Sequence, residues 1–368
     1  MTTKSKRKAM SENVIIQTAV GDYRQAVMEI VTEKLQDQFL LVTGDVYFEE
    51  STKTRVQLPD KNIKLVRNLF LFKRKFLIQF GVIKYGILAK GLILELNPRI
   101  INTWFLIFIR KALGKKTVLW GHAWPRLGRH SKSDNLRNVL RSLASHILVY
   151  TDTQVLELKE KMTTKSISSA PNSLYKSEEM WIDSKDRTGF IYVGRLVESK
   201  KPQLMINSYS NALNKEPSLG DLVIVGDGPE RKQCEDLVSS LKLNDKVFFK
   251  GHISDLGTLR TFYETSVASL SPGYVGLSIT QSFSFGTPIL ISRDENHAPE
   301  IEAAVEGHNC LMFDTNSSSD MSSKMLELWR GRAVWGAKED DIIQNCKNTY
   351  SAEIMANSII EAFNKCKI

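Results

Sequence analysis

From about residue 14 onward, short β-branched and aliphatic runs alternate with stretches whose apolar positions recur at helical spacing, and the alternation continues almost to residue 364. Residues 14–20, 38–43, 63–70, 92–96, 117–120 and 146–150 read as strands. Residues 24–35, 102–113 and 153–162 read as helices between them. Parallel strands need a crossover between them, so this alternation predicts a parallel sheet with helices on both faces. A polar stretch follows at 170–186, carrying Lys176, Glu178, Glu179, Asp183, Lys185 and Asp186, and reads as a linker. A second series then begins, with strands near 189–193, 222–225, 247–250, 268–271, 288–291 and 310–313, and helices near 319–329 and 352–364. With 368 residues, each series is long enough for its own core. The predicted architecture is two doubly wound α/β domains facing a cleft. Residues 1–173 form the first domain and 174–350 form the second. The helix at 351–368 returns to pack on the first.

Charge divides the halves. Residues 1–173 hold 29 Lys and Arg against 14 Asp and Glu; the remainder holds 21 against 27. A net charge of +15 in the first half points to an anionic partner: nucleic acid, phospholipid headgroups or a phosphorylated substrate. No nucleic-acid module is recognisable, so that partner class is set aside. The segment 76–96 is the longest apolar region, but Lys84, Lys90 and three glycines interrupt it, too often for a spanning helix. Residues 70–77 mix bulky apolar and cationic side chains. They read either as a membrane-surface segment or as a buried helix with basic flanks. Cys234, Cys310, Cys346 and Cys366 are scattered without a CxxC pair, as befits reduced thiols. Residues 1–12 are polar and basic and carry no secretory signal. A cytosolic protein is the expectation.

The strand ends of the second half carry the chemistry. The first closes as Val193-Gly194-Arg195-Leu196, with Lys200 five residues after the arginine: two cations suited to a diphosphate. The next closes as Val225-Gly226-Asp227-Gly228-Pro229-Glu230, with the proline at a first helical position, and the third as Phe249-Lys250-Gly251-His252. The fourth, Ser271-Pro272-Gly273-Tyr274-Val275-Gly276-Leu277-Ser278, opens a helix whose free N–H groups suit a phosphate.

These motifs, with Phe285-Gly286-Thr287-Pro288 and Pro299-Glu300-Ile301, stand in the order and spacing of a known family. Over roughly 188–315 the chain resembles the retaining glycosyltransferases of family 4, of GT-B fold, and among them the bacterial surface-polysaccharide type (O-antigen, capsule). The resemblance implies that Arg195 and Lys200 hold the donor pyrophosphate and Gly251 and His252 meet the base. It implies that Gly194, Gly226, Val275, Gly276 and Leu277 shape the phosphate-binding backbone. It places Gly273 and Gln281 where the family carries two glutamates, the first for the transferred sugar and the second for the ribose. An amide can still hydrogen-bond ribose hydroxyls; Gly273 has no side chain to offer. Glu300 is the remaining carboxylate, either at the donor sugar or only favoured by a helix N-terminus.

In the first half, His122 ends a strand between Trp120 and Trp124, where related enzymes place a histidine on the donor sugar. The tryptophans offer faces to sugar. Gly21 matches a flexible glycine loop near the phosphates. Arg126, Arg129 and His130 either meet an anionic acceptor or form a solvated basic loop. The implied activity is retaining transfer from a nucleoside-diphosphate sugar to a glycan or polyprenyl-diphosphate-linked acceptor on the inner face of the membrane. The cations at 64–74, 84, 90 and 110–116 would dock there. No Asp-x-Asp motif occurs, so no metal and no further cofactor are expected. The alternatives are a nucleotide-sugar epimerase or phosphorylase of the same fold, or a non-catalytic nucleotide-sugar-binding protein.

Overall fold

In a computed structural model, residues 12–50, 52–125, 128–183 and 186–367 are described. The chain divides into two compact units: Met1–Leu174 with Ala352–Ile368, and Tyr175–Ser351.

The first unit runs β1 (Asn13–Gln17), α1 (Gln25–Leu35), β2 (Phe39–Thr43), β3 (Ile63–Leu65), β4 (Asn68–Leu71), β5 (Phe76–Gln79), α2 (Ile83–Leu88), β6 (Gly91–Glu95), α3 (Ile101–Ala112), β7 (Val118–Trp120), α4 (Ser133–Leu143), β8 (His146–Val149), α5 (Asp152–Lys161) and β9 (Ser166–Ser169). Seven strands form a sheet in the order β3-β2-β1-β6-β7-β8-β9, every pairing parallel. Both faces are covered, and for that reason β2, β6, β7 and β8 are buried at every position instead of alternating. On one face Ile15, Val27, Phe39 and Trp120 pack with Met355, Ile359 and Phe363 of the terminal helix. On the other, Leu92, Leu94, Leu106, Ile107 and Leu140 form a second layer.

Two readings of this half are corrected. Residues 63–70 are not one strand: β3 joins the sheet, while β4 leaves it to pair antiparallel with β5. Residues 70–77 are accordingly a hairpin and not a helix. Its turn puts Phe72, Lys73 and Arg74 at φ of 50°, 53° and 61°, a left-handed run without glycine. Arg74 holds it by donating Nε to Phe48 O at 3.0 Å and Nη1 to Glu50 at 2.8 Å. Of the cations at 110–116, Arg110 is fully buried, and it cannot face a membrane.

The second unit runs β10 (Gly189–Val193), α6 (Pro202–Lys215), β11 (Asp221–Val225), α7 (Arg231–Ser240), β12 (Val247–Gly251), α8 (Leu256–Glu264), β13 (Ser266–Ser271), α9 (Ser278–Ser284), β14 (Ile289–Ser292), β15 (Cys310–Phe313), α10 (Ser318–Arg330), α11 (Arg332–Gly336) and α12 (Glu339–Tyr350). Its parallel six-stranded sheet has the order β12-β11-β10-β13-β14-β15. Side-chain caps start two of its helices: Asp255 accepts from Thr258 N ahead of α8, and Ser317 from Asp320 N ahead of α10. Pro229 lies ahead of α7, which begins at Arg231, so it is not a first helical residue. The last helix, α13 (Ala352–Lys367), belongs to the first unit and packs on α1 and β6. All four cysteines are buried and unpaired.

Candidate functional site

In the second sheet the strand order reverses between β10 and β13. The chain leaves β10 toward β11 on one side and leaves β13 toward β14 on the other. The crevice that opens at such a switch point, beyond the carboxyl ends of the strands, is where open α/β sheets bind ligands. The residues leaving β10 are Gly194, Arg195 and, after a short 3-10 turn over Glu198–Lys200, Lys200 itself. Those leaving β13 run from Pro272 to Leu277.

Close backbone packing fixes this floor. The Gly194 N–H donates to Val225 O at 3.0 Å, Leu196 N–H to Asp227 O at 2.9 Å, and Gly226 N–H to Gly251 O at 2.7 Å. A Cβ on Gly226 would fall 1.8 Å from Gly194 O, so only glycine fits there.

Lys200 and the turn after β13 are one assembly. Its Nζ donates to Tyr274 O at 2.6 Å and sits 4.6 Å from the centroid of the Tyr274 ring. The Tyr274 N–H donates to Ser199 O at 3.0 Å. Burial, then the like charge of Arg195, pulls the Lys200 ammonium down to about 8, while the Glu300 carboxylate acts in the opposite direction. Arg195, Lys200 and the buried Glu300 therefore share one electrostatic neighbourhood, with Arg195 exposed at its mouth. Two cations and one carboxylate at a switch point leave a net positive charge suited to an anionic ligand.

Gly273 explains its own lack of a side chain. A Cβ there would lie 2.4 Å from Ser199 O and 3.0 Å from Lys200 C, so the Lys200 turn occupies the space a glutamate would need. Gln281, on α9, is engaged at both ends. Its Nε2 donates to Tyr175 Oη at 2.6 Å and its Oε1 accepts from Tyr263 Oη at 3.3 Å. Two tyrosine hydroxyls thus orient the amide expected at the ribose. Val275 is buried, and its N–H donates to His297 Nδ1 at 3.0 Å, so it anchors the turn and offers no free donor. The other ring nitrogen of His297 faces Ser292 O at 2.8 Å. The imidazole must then carry its proton on Nε2, and burial pulls its pKa down. Gly276 and Leu277 follow on the open side of the same turn; a Cβ on Gly276 would meet nothing nearer than 3.7 Å. Gly251 and His252 close β12, where the exposed His252 lies in the field of Asp227, itself bonded to Arg231 Nη1 at 3.0 Å.

In the first sheet the order reverses between β1 and β6. A buried carboxylate that the sequence reading passed over, Glu95, ends β6. It accepts from Thr18 N at 3.0 Å, Tyr47 Oη at 3.1 Å and Asn97 Nδ2 at 3.2 Å. Burial and this carboxylate push the Tyr47 phenol well above its usual range. A lone acid closing the apolar run 91–94 was the available signal. His122 follows β7 with its ring edge-on to Tyr150 at 4.7 Å, and its carbonyl accepts from Arg137 Nη1 at 2.8 Å. Desolvation, then Arg137 and Arg24, hold His122 below its ordinary pKa, so it is neutral at pH 7.

The tryptophans do not offer the sugar platform expected of them. Trp120 is 2% exposed and carries Arg24 over its ring, while Arg141 and Lys161 cover Trp124. Gly21 sits at φ −71°, ψ 165°, an extended conformation that does not itself demand glycine, although a Cβ there would fall 2.6 Å from the Tyr23 ring. Arg129 pairs with Glu157 at 4.0 Å, His130 is exposed, and Arg126 lies outside the described residues.

Residues 178–349 match the family model described as glycosyl transferases group 1. Mannosylfructose-phosphate synthase of Agrobacterium fabrum is 24% identical over 166 residues, covering 41% of this chain and 36% of that protein. N-acetyl-alpha-D-glucosaminyl L-malate synthase of Bacillus anthracis is 22% identical over 137 residues, covering 37% and 35%. The chain thus spans about a third of the length of these two relatives. Among solved structures, Anabaena HepE in complex with UDP aligns with TM-score 0.68 at 10% identity, over 96% of this chain and 99% of that one. The pneumococcal O-GlcNAc transferase GtfA in complex with UDP and GlcNAc aligns with TM-score 0.68 at 13% identity, over the same shares. The fold is therefore of the GT-B kind, with two Rossmann-like parallel-sheet units.

Proposed function

We propose that this chain, whose residues 178–349 form a glycosyl transferases group 1 domain, is a retaining glycosyltransferase. It moves a sugar from a nucleoside-diphosphate sugar to a glycan or lipid-linked acceptor in bacterial surface-polysaccharide synthesis. The observation that carries the reading is the pairing of Arg195 with a desolvated Lys200 at the switch point of the second sheet. A diphosphate is an anion suited to two cations at a strand-end crevice, and the group 1 match and the UDP complexes of fold neighbours support a nucleotide there.

Transfer breaks the bond between the anomeric carbon and the donor phosphate oxygen and forms one to the acceptor oxygen on the same face. The acceptor proton passes to the departing phosphate, whose charge Arg195 and Lys200 stabilise; no separate base is needed. With Gly273 unable to carry a carboxylate, Glu300 is the acid assigned to the sugar end, and neutral His122 is suited to hydrogen-bonding a hydroxyl. Metal-independent turnover is expected and is checked by activity in the presence of a chelator. On this reading a lipid-linked acceptor is met at the anionic inner face of the membrane.

The test is a thermal-shift panel of nucleoside diphosphates and nucleotide-sugars. At least one should stabilise the protein, and Arg195→Ala should weaken that ligand by about ten- to a hundredfold, the range for one charge-assisted contact. Stabilisation by none would sink the proposal. The blocked Gly273 and the engaged Gln281 favour one second reading, a nucleotide-sugar-binding protein without turnover. Donor binding with no transfer or hydrolysis across an acceptor panel would identify it.

A further inference from the structure

α3 and α4 lie side by side on one face of the first unit, joined beneath by Leu106, Ile107 and Leu140. The inner face of α3 is Asn102, Thr103, Leu106, Ile107 and Arg110. Its outer face is apolar as well: Ile101, Phe105 and Phe108 are 41%, 48% and 52% exposed, and Trp104 stacks on Phe108 at 6.4 Å. On α4, Leu136 and Val139 are 50% and 51% exposed. A surface helix ordinarily turns charged and polar residues outward, and exposed apolar rows on adjacent helices mark a contact surface. Among the described residues no helix is long and apolar enough to cross a membrane.

Where the two helices end, an open pocket of about 210 Å³ is lined by Lys111, Lys115 and Lys165 with Thr117 and Ser145. Lys165 Nζ donates to Ser142 O at 2.7 Å and Ala144 O at 2.8 Å, and Lys115 Nζ to Ile87 O at 2.7 Å. These bonds hold two of the three ammonium groups in place. Burial, then the charge of Lys111, draws Lys165 below the usual lysine range, a penalty that an anion would remove.

We propose that the α3–α4 face docks on an anionic lipid bilayer, with Phe105, Phe108, Leu136 and Val139 entering the acyl boundary and a lipid phosphate seated among Lys111, Lys115 and Lys165. The proposal rests on the membrane-apposed transferase reading above and assigns the surface that performs it. Charge complementarity selects the occupant. A second copy of the chain would bring its own lysine pocket and the +15 of residues 1–173 against the same charge. An anionic bilayer meets both the apolar rows and the cations.

The test uses the full chain with vesicles of phosphatidylcholine alone or mixed with phosphatidylglycerol. Sedimentation with the mixed vesicles and little with the neutral ones is expected. The double substitution Phe105→Ser, Phe108→Ser should lower partitioning by about tenfold or more. Lys111→Glu should lower it several-fold on anionic vesicles, an effect that high salt removes. Both variants should keep the wild-type response to nucleoside diphosphate, which separates loss of docking from loss of fold. Equal binding to both vesicle types, or undiminished binding by the phenylalanine variant, would overturn the proposal. So would a dimer in sedimentation velocity that the phenylalanine substitutions dissolve, with no vesicle binding. Absence of any nucleotide response in the wild type counts against the transferase reading and leaves the vesicle result to stand by itself.

Discussion

The two units share an architecture and differ in how they treat charge. In the first, cations are drawn inward as struts: Arg110 donates five hydrogen bonds, to Thr117 Oγ1 and to the carbonyls of Gly86, Ala89, Lys90 and Lys116. Arg141 is equally buried, and its Nη2 donates to both carboxylate oxygens of Asp134 at 2.8 Å. In the second unit two cations, Arg195 and Lys200, stand together at a strand-end crevice, and burial with the charge of Arg195 draws Lys200 down. A guanidinium surrounded by carbonyls makes a unit rigid; an ammonium beside another cation makes it ready for a ligand. Both units use struts, for the buried Arg187 of the second donates to Ser266 O and Gly286 O much as Arg110 does in the first, so the number of basic residues is a poor guide to how a half uses them.

That contrast can be broken, and the largest lever is Arg110. Arg110→Met strands buried carbonyls and should cost the first unit about 3–5 kcal/mol. Urea unfolding followed by tryptophan fluorescence should show one transition moved and the other in place; movement of both together would show that the units do not unfold separately. Gly273→Ala comes next. Its methyl would press on Ser199 O, and the strain should cost the second unit about 1–3 kcal/mol and weaken diphosphate binding in calorimetry. An unchanged melting temperature would mean that the Lys200 turn moves aside freely.

A pH series sharpens the comparison further. Lys200 is depressed to about 8, so it is charged below that value and neutral above it, and diphosphate affinity should fall as pH rises through about 8. Stability should move the other way. Between about 8 and the ordinary lysine value the unfolded chain binds more protons than the folded one, so the Lys200 contribution to stability improves as pH rises through that window. Lys200→Arg, charged throughout, should flatten the affinity profile. The smallest effect is expected from Tyr175→Phe, which deprives Gln281 of one partner and should cost about 1 kcal/mol while leaving the diphosphate response intact.

The sheets were legible because buried parallel strands write themselves as continuous apolar runs, as 91–95 and 146–149 do. β9, Ser166–Ser169, was not: it is an edge strand of one isoleucine among serines, and its pairing with β8 comes from position and not from composition. The hairpin at 68–79 was hidden because its left-handed turn carries Phe, Lys and Arg where glycine or asparagine would announce it. At the site, spacing located Arg195, Lys200 and Gly273. It could not show that Gly273 is glycine because of Ser199, nor that Tyr175, 106 residues away, holds Gln281. Those facts are made by chain segments meeting in space.

One feature of the fold bears on how the protein comes to exist. The first unit is written in two pieces, with the second unit, Tyr175–Ser351, lying between them. Its core layer of Ile15, Phe39 and Trp120 stays uncovered on one side until Met355, Ile359 and Phe363 have been made. During synthesis, which proceeds from the N-terminus, the whole of the second unit is made before this last part of the first unit's core. Until then that face is covered by α1 alone, and truncation before residue 352 should leave apolar surface exposed, as binding of a hydrophobic dye to the truncated chain would report.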